Sequence, residues 1–244
     1  MNLIKVIKNP MGYYLALQSV VTNFFRANFH KGKNVHCEIC NWKGTRFFSG
    51  KCPKCNSLTR TRLIPFSISF FNLFKDDIKL LHIAPNVNEY NFIKSIITKN
   101  SQYDRLNITK ADHINLLQDL TNTTIESNTY DLAISWHVFE HIVEDVKAIS
   151  EVYRILKPNG NFLLSVPIYP ANNKVTYEDS NILYQDYKEI HGHEDHCRSC
   201  GLDYYKRFEA VGFTTKTLQI ENLNAEQINT YGLSKNHVVW CFSK

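Results

Sequence analysis

The sequence predicts an α/β fold, in which a doubly wound and mostly parallel sheet with an antiparallel last strand follows a small module built on cysteines. From residue 79 onward, short apolar segments alternate with segments whose apolar residues recur at helical spacing. This alternation is typical of a parallel sheet covered by helices on both faces. Ahead of it, two Cys-x-x-Cys pairs are separated by eleven residues, a spacing typical of metal-binding modules. The four cysteines are Cys37, Cys40, Cys52 and Cys55.

The first predicted element is an amphipathic helix that begins after Pro10. The apolar stretch over residues 11–25 is interrupted by polar side chains and is shorter than the roughly 20 residues that a membrane span needs. No small-x-small cleavage site follows it, so we expect neither a transmembrane span nor a secretory leader. Contact with the surface of an anionic membrane is an alternative to packing on a domain. The apolar face comprises Tyr14, Leu17, Val21 and Phe24.

The first half of the main domain is predicted as helix, strand, helix and strand. A helix over residues 58–74 leads into a strand over residues 79–84, whose sequence Lys-Leu-Leu-His-Ile-Ala suits a strand buried on both faces. A helix over residues 88–98 follows. The second strand is predicted over residues 105–111, and it ends at Asp112.

The second half of the domain continues the alternation. An apolar run over residues 130–136 predicts the third strand, because a turn-rich segment precedes it. The helix face from Val146 to Leu156 is stopped by Pro158-Asn159-Gly160. The remaining predictions are a strand over 161–167, a helix over 201–211 closed by Gly212, and strands over 213–220 and 237–242, the last containing Cys241 as an ordinary core residue.

Charge divides the chain in the same way as the cysteines do. Residues 1–62 hold eleven lysines and arginines against one acid, Glu38, whereas residues 63–244 hold seventeen against twenty-two. The basic part is a candidate for contact with an anionic partner such as nucleic acid, phospholipid headgroups or a phosphorylated substrate. Docking on the acidic body of the same chain is the alternative.

Four thiolates suit one tetrahedral Zn²⁺ and leave no open position for a catalytic water, so we expect the metal to be structural. Two disulfides are the alternative, but seven cysteines are an odd number, and this argues against a disulfide framework. The sequence is therefore divided into a basic amphipathic helical segment (residues 1–36), a zinc ribbon (37–62) and a main domain (63–244).

Several local motifs resemble one family. The segments Asp131-Leu-Ala-Ile-Ser-Trp-His137, Val-Phe-Glu-His141 and Tyr153-Arg-Ile-Leu-Lys-Pro-Asn-Gly160 are similar to the second half of class I S-adenosylmethionine-dependent methyltransferases. Together with the cysteine pairs, His82-Ile-Ala-Pro85 resembles a bacterial subgroup that carries an N-terminal zinc knuckle. The resemblance implies a Rossmann-like methyltransferase sheet and S-adenosylmethionine as the cofactor.

The resemblance also implies the cofactor contacts. The turn after the first strand lacks the family's glycines, but Ala84 is small and Pro85 fixes its own backbone angle, so close approach to the cofactor is still expected. An acid at the end of the second strand would bind the ribose; we assign Asp112, with a helix cap as the alternative. Asp119 matches the adenine-contacting position, with a surface turn as the alternative. The expected cofactor residues are His82, Ala84, Pro85, Asn86, Asp112, Asp119, Leu120, Trp136 and His137.

A segment without apolar periodicity, residues 168–200, is expected to form an acceptor lid, because loops of this length in compact domains are usually functional. Its Asp195-His196-Cys-Arg198 motif is similar to one in the subgroup. We expect His196 to be the general base or acceptor anchor, Asp195 to orient it, and Arg198 to bind an acidic acceptor group. One alternative is that the segment only tethers the lid. The other is a second metal site on His191, His193, His196, Cys197 and Cys200.

The leading functional hypothesis is therefore a cytoplasmic S-adenosylmethionine-dependent methyltransferase acting on a hydroxyl or amine of a small-molecule or glycan acceptor. Two alternatives stay open. One is an rRNA or tRNA methyltransferase that grips phosphates through the basic zinc module. The other is a catalytically silent binding module. Glu140 and His141 are interpreted as capping or positioning groups at the start of a helix.

Overall fold

A computed structural model describes residues 10–244. The first nine residues of the expected basic segment lie outside the described residues. The helices are α1 (Pro10–Phe29), α2 (Thr59–Phe70), α3 (Val87–Ile96), α4 (Asp145–Ile155), α5 (Tyr187–His191), α6 (Lys206–Glu209) and α7 (Ala225–Tyr231). The strands are β1 (Lys31–Cys37), β2 (Trp42–Gly44), β3 (Lys79–Ile83), β4 (Gln102–Asn107), β5 (Leu116–Leu117), β6 (Tyr130–Trp136), β7 (Leu156–Ser165), β8 (Thr214–Gln219) and β9 (Val238–Ser243).

The chain divides into two compact units. One is the described part of Met1–Leu63 together with Asn224–Leu233, and the other is Ile64–Leu223 together with Ser234–Lys244. The expected main domain over residues 63–244 is therefore interrupted, because the segment that contains α7 belongs with the N-terminal unit.

Arg62 explains why this segment joins the N-terminal unit. Its buried guanidinium donates hydrogen bonds to the backbone oxygens of Tyr231 (3.0 Å) and Gly232 (2.8 Å). It also donates to the backbone oxygens of Gly50 (3.1 Å) and Ser57 (2.6 Å). One side chain thus fastens α7 to the loops that follow the hairpin of β1 and β2.

The second unit contains a seven-stranded sheet with the order β5-β4-β3-β6-β7-β9-β8. Neighbouring strands from β5 to β7 are parallel, and β9 is antiparallel to both β7 and β8. The predicted doubly wound sheet with an antiparallel last strand is confirmed. Aromatic side chains close one face, where Phe208 of α6 stacks on Phe242 of β9 with ring centroids 4.2 Å apart.

The second strand of the domain starts and ends earlier than predicted. β4 pairs residue for residue with β3, from Lys79 opposite Gln102 to Ile83 opposite Leu106. Its sequence looks polar, but the buried Asp104 accepts hydrogen bonds from the Tyr130 hydroxyl and the Asn115 amide, both at 2.9 Å. Distant partners therefore make a strand out of a segment whose local pattern does not indicate one.

The expected lid over residues 168–200 is closed on itself by two short bridges, Ile168 to Cys200 and Tyr177 to Ser199. The predicted helix over 201–211 is reduced to α6, because the Asp203 carboxylate instead accepts hydrogen bonds from the backbone and hydroxyl of Thr176. Within residues 10–244, no helix has both the length and the apolar character needed to cross a bilayer.

Candidate active site

A cavity of about 380 Å³ opens at the carboxyl ends of β3 and β4. β3 has β4 on one side and β6 on the other, so the order of the strands reverses here, and this is where ligands bind in doubly wound sheets. The cavity is lined by Ile83, Ala84, Leu106, Asn107, Ile108, Asp119, Leu120, Thr121, Val138, His141, Ile142, Val143 and Glu144.

The turn after β3 brings the backbone close to this cavity without a glycine. Ala84 has a φ of 47°, in the left-handed region that favours glycine, and its N–H donates to the Leu106 oxygen at 2.7 Å. Asn86 then caps α3, accepting hydrogen bonds from the backbones of Asn88 and Glu89, while Glu89 accepts from the Asn86 backbone. The short alanine side chain is what makes this tight turn possible.

Asn107, the last residue of β4, and Asp119, which follows β5, are polar residues on the cavity wall. The Asp119 carboxylate accepts hydrogen bonds from the backbone and the hydroxyl of Thr121, both at 2.8 Å. These bonds hold the pKa of Asp119 below its usual value. The exposed carboxylate is therefore anionic at neutral pH and has free lone pairs for the hydroxyl groups of a ligand.

A buried carboxylate surrounded by histidines lies behind another part of the wall. One oxygen of Glu140, Oε1, lies 3.6 Å from His137 Nδ1, 3.8 Å from His141 Nε2 and 3.9 Å from His196 Nε2. The Glu140 side chain is 1% exposed, and neither of its oxygens has a hydrogen-bond partner. Burial alone would raise the pKa of Glu140, but His137 and His141 hold it below its usual value.

Arg198 ties the lid to the same wall. It is buried, and its guanidinium donates to the backbone oxygens of Phe139 and Ile142 at 2.6 Å and of Val143 at 3.0 Å. Its Nε donates to the Glu178 carboxylate at 2.7 Å. The residues that border the cavity are therefore fixed by a side chain from the lid.

A family model described as a methyltransferase domain matches residues 93–164. The sterol 4-C-methyltransferase strm-1 of Caenorhabditis elegans is 24% identical over 250 residues, which cover 95% of this chain and 66% of that protein. The chain thus spans slightly less than two thirds of the length of this curated relative.

Solved structures share the fold. The S-adenosylmethionine-dependent methyltransferase of Archaeoglobus fulgidus is 12% identical with a TM-score of 0.52, covering 75% of this chain and 94% of its own. The one from Mesorhizobium loti is 11% identical with a TM-score of 0.50, covering 72% of this chain and 96% of its own. The family match includes the cavity-lining residues from Leu106 to Glu144, whereas Ile83 and Ala84 precede it. The chain therefore has the fold of S-adenosylmethionine-dependent methyltransferases, and residues 93–164 match a methyltransferase domain.

Three of the expected cofactor residues line the cavity of the methyltransferase domain, namely Ala84, Asp119 and Leu120. The others do not. His82 is fully buried and its Nδ1 lies 3.0 Å from the Tyr103 hydroxyl. The backbone oxygen of Pro85 lies 2.8 Å from His113 Nε2, and the Asn86 side chain is used as the helix cap.

The expected ribose-binding acid is also displaced. β4 ends at Asn107, so Asp112 is exposed in a turn five residues beyond the strand rather than at its end. Trp136 is buried in β6, and the His137 ring lies against Glu140. Asn107 is the residue that sequence reasoning missed, because the strand was predicted to end too late.

The acceptor-side residues are arranged differently from the expectation. The Asp195 carboxylate accepts a hydrogen bond from the Tyr184 hydroxyl at 2.8 Å, and the carboxylate nearest to the His196 ring is Glu140. Arg198 binds the protein itself, in contrast to the expected contact with an acidic acceptor. The overlooked sequence signal is the spacing of His137, Glu140 and His141 immediately after β6.

The four N-terminal cysteines are free thiols that converge on one point, with their sulfurs within 4.8 Å of one another. Cys37 Sγ lies 3.7 Å from Cys55 Sγ, and Cys40 Sγ lies 3.7 Å from Cys52 Sγ. Zn–S bonds of about 2.3 Å in a tetrahedron place the sulfurs about 3.8 Å apart. The geometry thus fits a tetrahedral zinc, and the separations are far longer than the disulfide alternative requires.

The N-terminal unit has a larger groove of its own, about 750 Å³, bordered by α1 and the cysteine loops. Its lining includes Phe24, Trp42, Lys43 and Lys54. Of these two cavities, the smaller one lies at the carboxyl ends of the parallel strands, where doubly wound sheets bind their ligands.

Proposed function

We propose that this protein transfers a methyl group from S-adenosylmethionine to a hydroxyl or amine of a small-molecule or glycan acceptor. The observation that carries the proposal is the cavity at the strand switch point, with His141 of the histidine–glutamate cluster on its wall. The name of the Caenorhabditis elegans relative, a sterol 4-C-methyltransferase, supports a small molecule as acceptor but specifies carbon as the methylated atom.

The cofactor would lie along the polar part of the cavity. The Asp119 carboxylate would accept hydrogen bonds from the cofactor, and the Asn107 amide would donate to it or accept from it, at the ribose and adenine. Leu120 would contact the adenine ring. The left-handed turn at Ala84 would allow the amino-acid end to approach the backbone. S-adenosylmethionine, when bound, supplies a methyl group on a positively charged sulfur.

The chain's own contribution is alignment and exclusion of water. Methyl transfer is an in-line displacement, so most of the rate enhancement comes from holding the acceptor against the methyl carbon. The Arg198 contacts fix the wall at residues 139–143 on which the acceptor would rest. A hydroxyl acceptor must also lose its proton, and His141 and His196 are the candidate groups on this side.

Calorimetric titration with S-adenosylmethionine tests the cofactor site. Loss of a hydrogen bond to a carboxylate costs about 1.5–3 kcal/mol, so Asp119→Ala should weaken binding by about tenfold to a hundredfold. Asp112→Ala is the matched control, since it removes a nearby exposed carboxylate outside the cavity, and its affinity should stay within about twofold of the native protein. If Asp112→Ala weakens binding and Asp119→Ala does not, the original assignment of the ribose-binding acid is restored. If the native protein does not bind the cofactor, the silent binding module replaces the proposal.

The N-terminal unit supplies the remaining parts of the proposal. Cys37, Cys40, Cys52 and Cys55 would hold a structural Zn²⁺, as in the bacterial subgroup that the sequence resembles. Free thiolates of this kind suit a reducing compartment, and we therefore place the protein in the cytoplasm.

We propose that α1 contacts the surface of an anionic bilayer and does not contact nucleic acid. Large apolar side chains of the helix are exposed, including Leu17, Val20 and Phe24, and exposed lysines lie beside them at positions 43 and 54. A helix of this kind inserts its apolar side chains among lipid headgroups while the lysines attract anionic lipid.

A further inference from the structure

We propose that Glu140, His141 and His196 form a binding site for one divalent first-row transition-metal ion, separate from the four cysteines. Each residue offers one ligand atom, and the three atoms lie within 4.8 Å of one another. The residues come from two segments more than fifty positions apart, the 3₁₀ turn Phe139–His141 after β6 and the end of the lid.

The hydrogen bonds of the two imidazoles aim their lone pairs at one point. His141 Nδ1 lies 2.9 Å from the Asp195 backbone oxygen, and His196 Nδ1 lies 3.3 Å from the His191 backbone oxygen. A carbonyl oxygen only accepts, so in each neutral ring the proton is on Nδ1 and the lone pair is on Nε2. Outer hydrogen bonds of this kind orient histidine ligands in metal sites.

Those lone pairs face the buried carboxylate. Glu140 Oε1 lies 3.8 Å from the Nε2 of His141 and 3.9 Å from that of His196, and no hydrogen bond reaches either carboxylate oxygen. Three acceptor atoms therefore converge, and His137 Nδ1, 3.6 Å from Glu140 Oε1, lies just beyond hydrogen-bond range. A buried carboxylate without a partner is costly, and a cation between the three atoms would remove that cost.

The separations suit an ion better than a proton. A protonated histidine would draw the carboxylate to about 2.7–2.9 Å in a charge-assisted hydrogen bond. Metal bonds of about 2.0–2.2 Å place neighbouring ligand atoms about 3.3–3.6 Å apart at tetrahedral angles, and the two separations from Glu140 Oε1, 3.8 and 3.9 Å, are within a few tenths of an ångström of that range. His137 Nδ1, 3.6 Å from the same oxygen, is placed to support the carboxylate as an outer donor.

Two histidines and one carboxylate are the ligand set of zinc and non-haem iron centres that keep open coordination positions. His141 also lines the cofactor cavity, so an open position would face the acceptor. There a divalent ion would bind an acceptor hydroxyl and lower its pKa, and this would replace proton transfer to His141 or His196, whose Nε2 lone pairs would bind the ion. This role rests on the proposed function, whereas the binding of the ion does not.

The proposed ligands differ from the second metal site considered from the sequence. Cys197 Sγ donates a hydrogen bond to the Glu140 backbone oxygen at 3.2 Å, and Cys200 is buried in the core cluster. Of that earlier set only His196 is retained, and the other two ligands come from the turn after β6.

Metal counting on the full-length protein tests the site. The protein is treated with a mild chelator, titrated with Co²⁺, desalted and analysed for bound ions by mass spectrometry and visible absorption. We expect the native protein to hold one ion more than Glu140→Gln and His196→Ala. These variants should lose the weak visible bands of Co²⁺ bound by nitrogen and oxygen ligands. They should keep any thiolate-to-Co²⁺ charge-transfer band, which would come from the cysteines. His193→Ala is the matched control, because this exposed imidazole lies beside His196 but outside the ligand set, and it should keep the extra ion.

Equal ion counts in the native protein and in Glu140→Gln would overturn the site. Glu140→Gln conserves the shape of the side chain, so it decides the matter if His196→Ala fails to fold by circular dichroism. Calorimetry with S-adenosylmethionine on the same samples separates the two proposals. If a variant loses the extra ion but still binds the cofactor, the loss of the ion is not caused by unfolding, and the metal site is supported. If the native protein binds the extra ion but no cofactor, the proposed function is wrong and the metal site stands.

Discussion

At the residue scale, His82 shows how a buried titratable group is kept neutral in the centre of the sheet. Its ring is fully buried, with Nδ1 3.0 Å from the Tyr103 hydroxyl and Nε2 3.7 Å from the Glu89 carboxylate. That carboxylate already accepts hydrogen bonds from Asn86. Burial, with a smaller contribution from His113, lowers the pKa of His82 to about 3.

This lowered pKa predicts a loss of stability in acid. Between the ordinary histidine pKa of about 6.5 and the folded value, the unfolded chain binds a proton that the folded chain does not, so the free energy of unfolding falls as the pH falls. The contribution is about 1.4 kcal/mol per pH unit at most. Urea denaturation at pH 7, 6 and 5 should show this slope in the native protein and a shallower one in His82→Gln. Parallel slopes in the two proteins would show that His82 is protonated in the folded state.

At the scale of single elements, α1 leaves large apolar side chains uncovered. Phe24 is 65% exposed and Leu17 is 57% exposed, although the Trp42 indole holds the end of the helix by donating to the Ala27 backbone oxygen at 2.9 Å. Phe24→Asp should therefore reduce cosedimentation with vesicles of anionic phospholipid by about tenfold, because it removes an apolar anchor and adds a repelled charge.

Gln18→Asp serves as the control for this experiment, since it adds the same charge at an exposed polar position of the same helix. It should bind vesicles more strongly than Phe24→Asp. Equal loss in both variants would assign the binding to charge alone. Retention of the native protein on RNA but not on vesicles would favour the nucleic-acid alternative.

Hydrogen bonds from Arg62 attach α7 to the N-terminal unit. Arg62→Met would leave four backbone oxygens, those of Gly50, Ser57, Tyr231 and Gly232, without their donor. The loss of a buried and fully bonded charged group costs on the order of 3–5 kcal/mol. We expect the thermal transition of the N-terminal unit to move to lower temperature. Lys43→Ala, which removes an exposed cation from β2, should leave the transition in place, and an unchanged transition in Arg62→Met would show that α7 is held by other contacts.

At the scale of the whole molecule, we expect the N-terminal unit to depend on the proposed zinc more than on its small core, whose buried residues are Val35, Cys37, Trp42 and Cys52. Cys37→Ser should therefore lose one zinc per chain by elemental analysis and unfold this unit, because binding energy and folding energy are linked in small zinc modules. Cys241→Ala should retain the zinc, since that thiol is buried in β9. A Cys37→Ser protein with an unchanged zinc content would exclude the cysteine site.

The sheet could be predicted from the sequence because its central strands are apolar runs, as in β3 and β6. The end of β4 could not, because Asp104 is buried through partners on β6 and in the loop before β5. The same error moved the expected ribose-binding acid from the neighbourhood of Asn107 to Asp112. Long-range pairing decided the outcome, and local composition contained no sign of it.

The cysteine group was predicted from spacing alone, because its two pairs are close in sequence. The histidine–glutamate cluster was predicted only in part, since His196 was singled out while Glu140 was taken for a capping group. More than fifty residues separate the lid histidine from the turn after β6. Only the folded chain brings the two segments together, and the sequence does not show that their side chains face each other.

The return of residues 224–233 to the N-terminal unit has a consequence for synthesis. Chains emerge from the ribosome N-terminus first, and domains usually fold as they appear. Here the cysteine loops are made first, yet the helix that Arg62 fastens to them is translated only after strands β3 to β8. The N-terminal unit can therefore be completed only after most strands of the sheet in the other unit have been made.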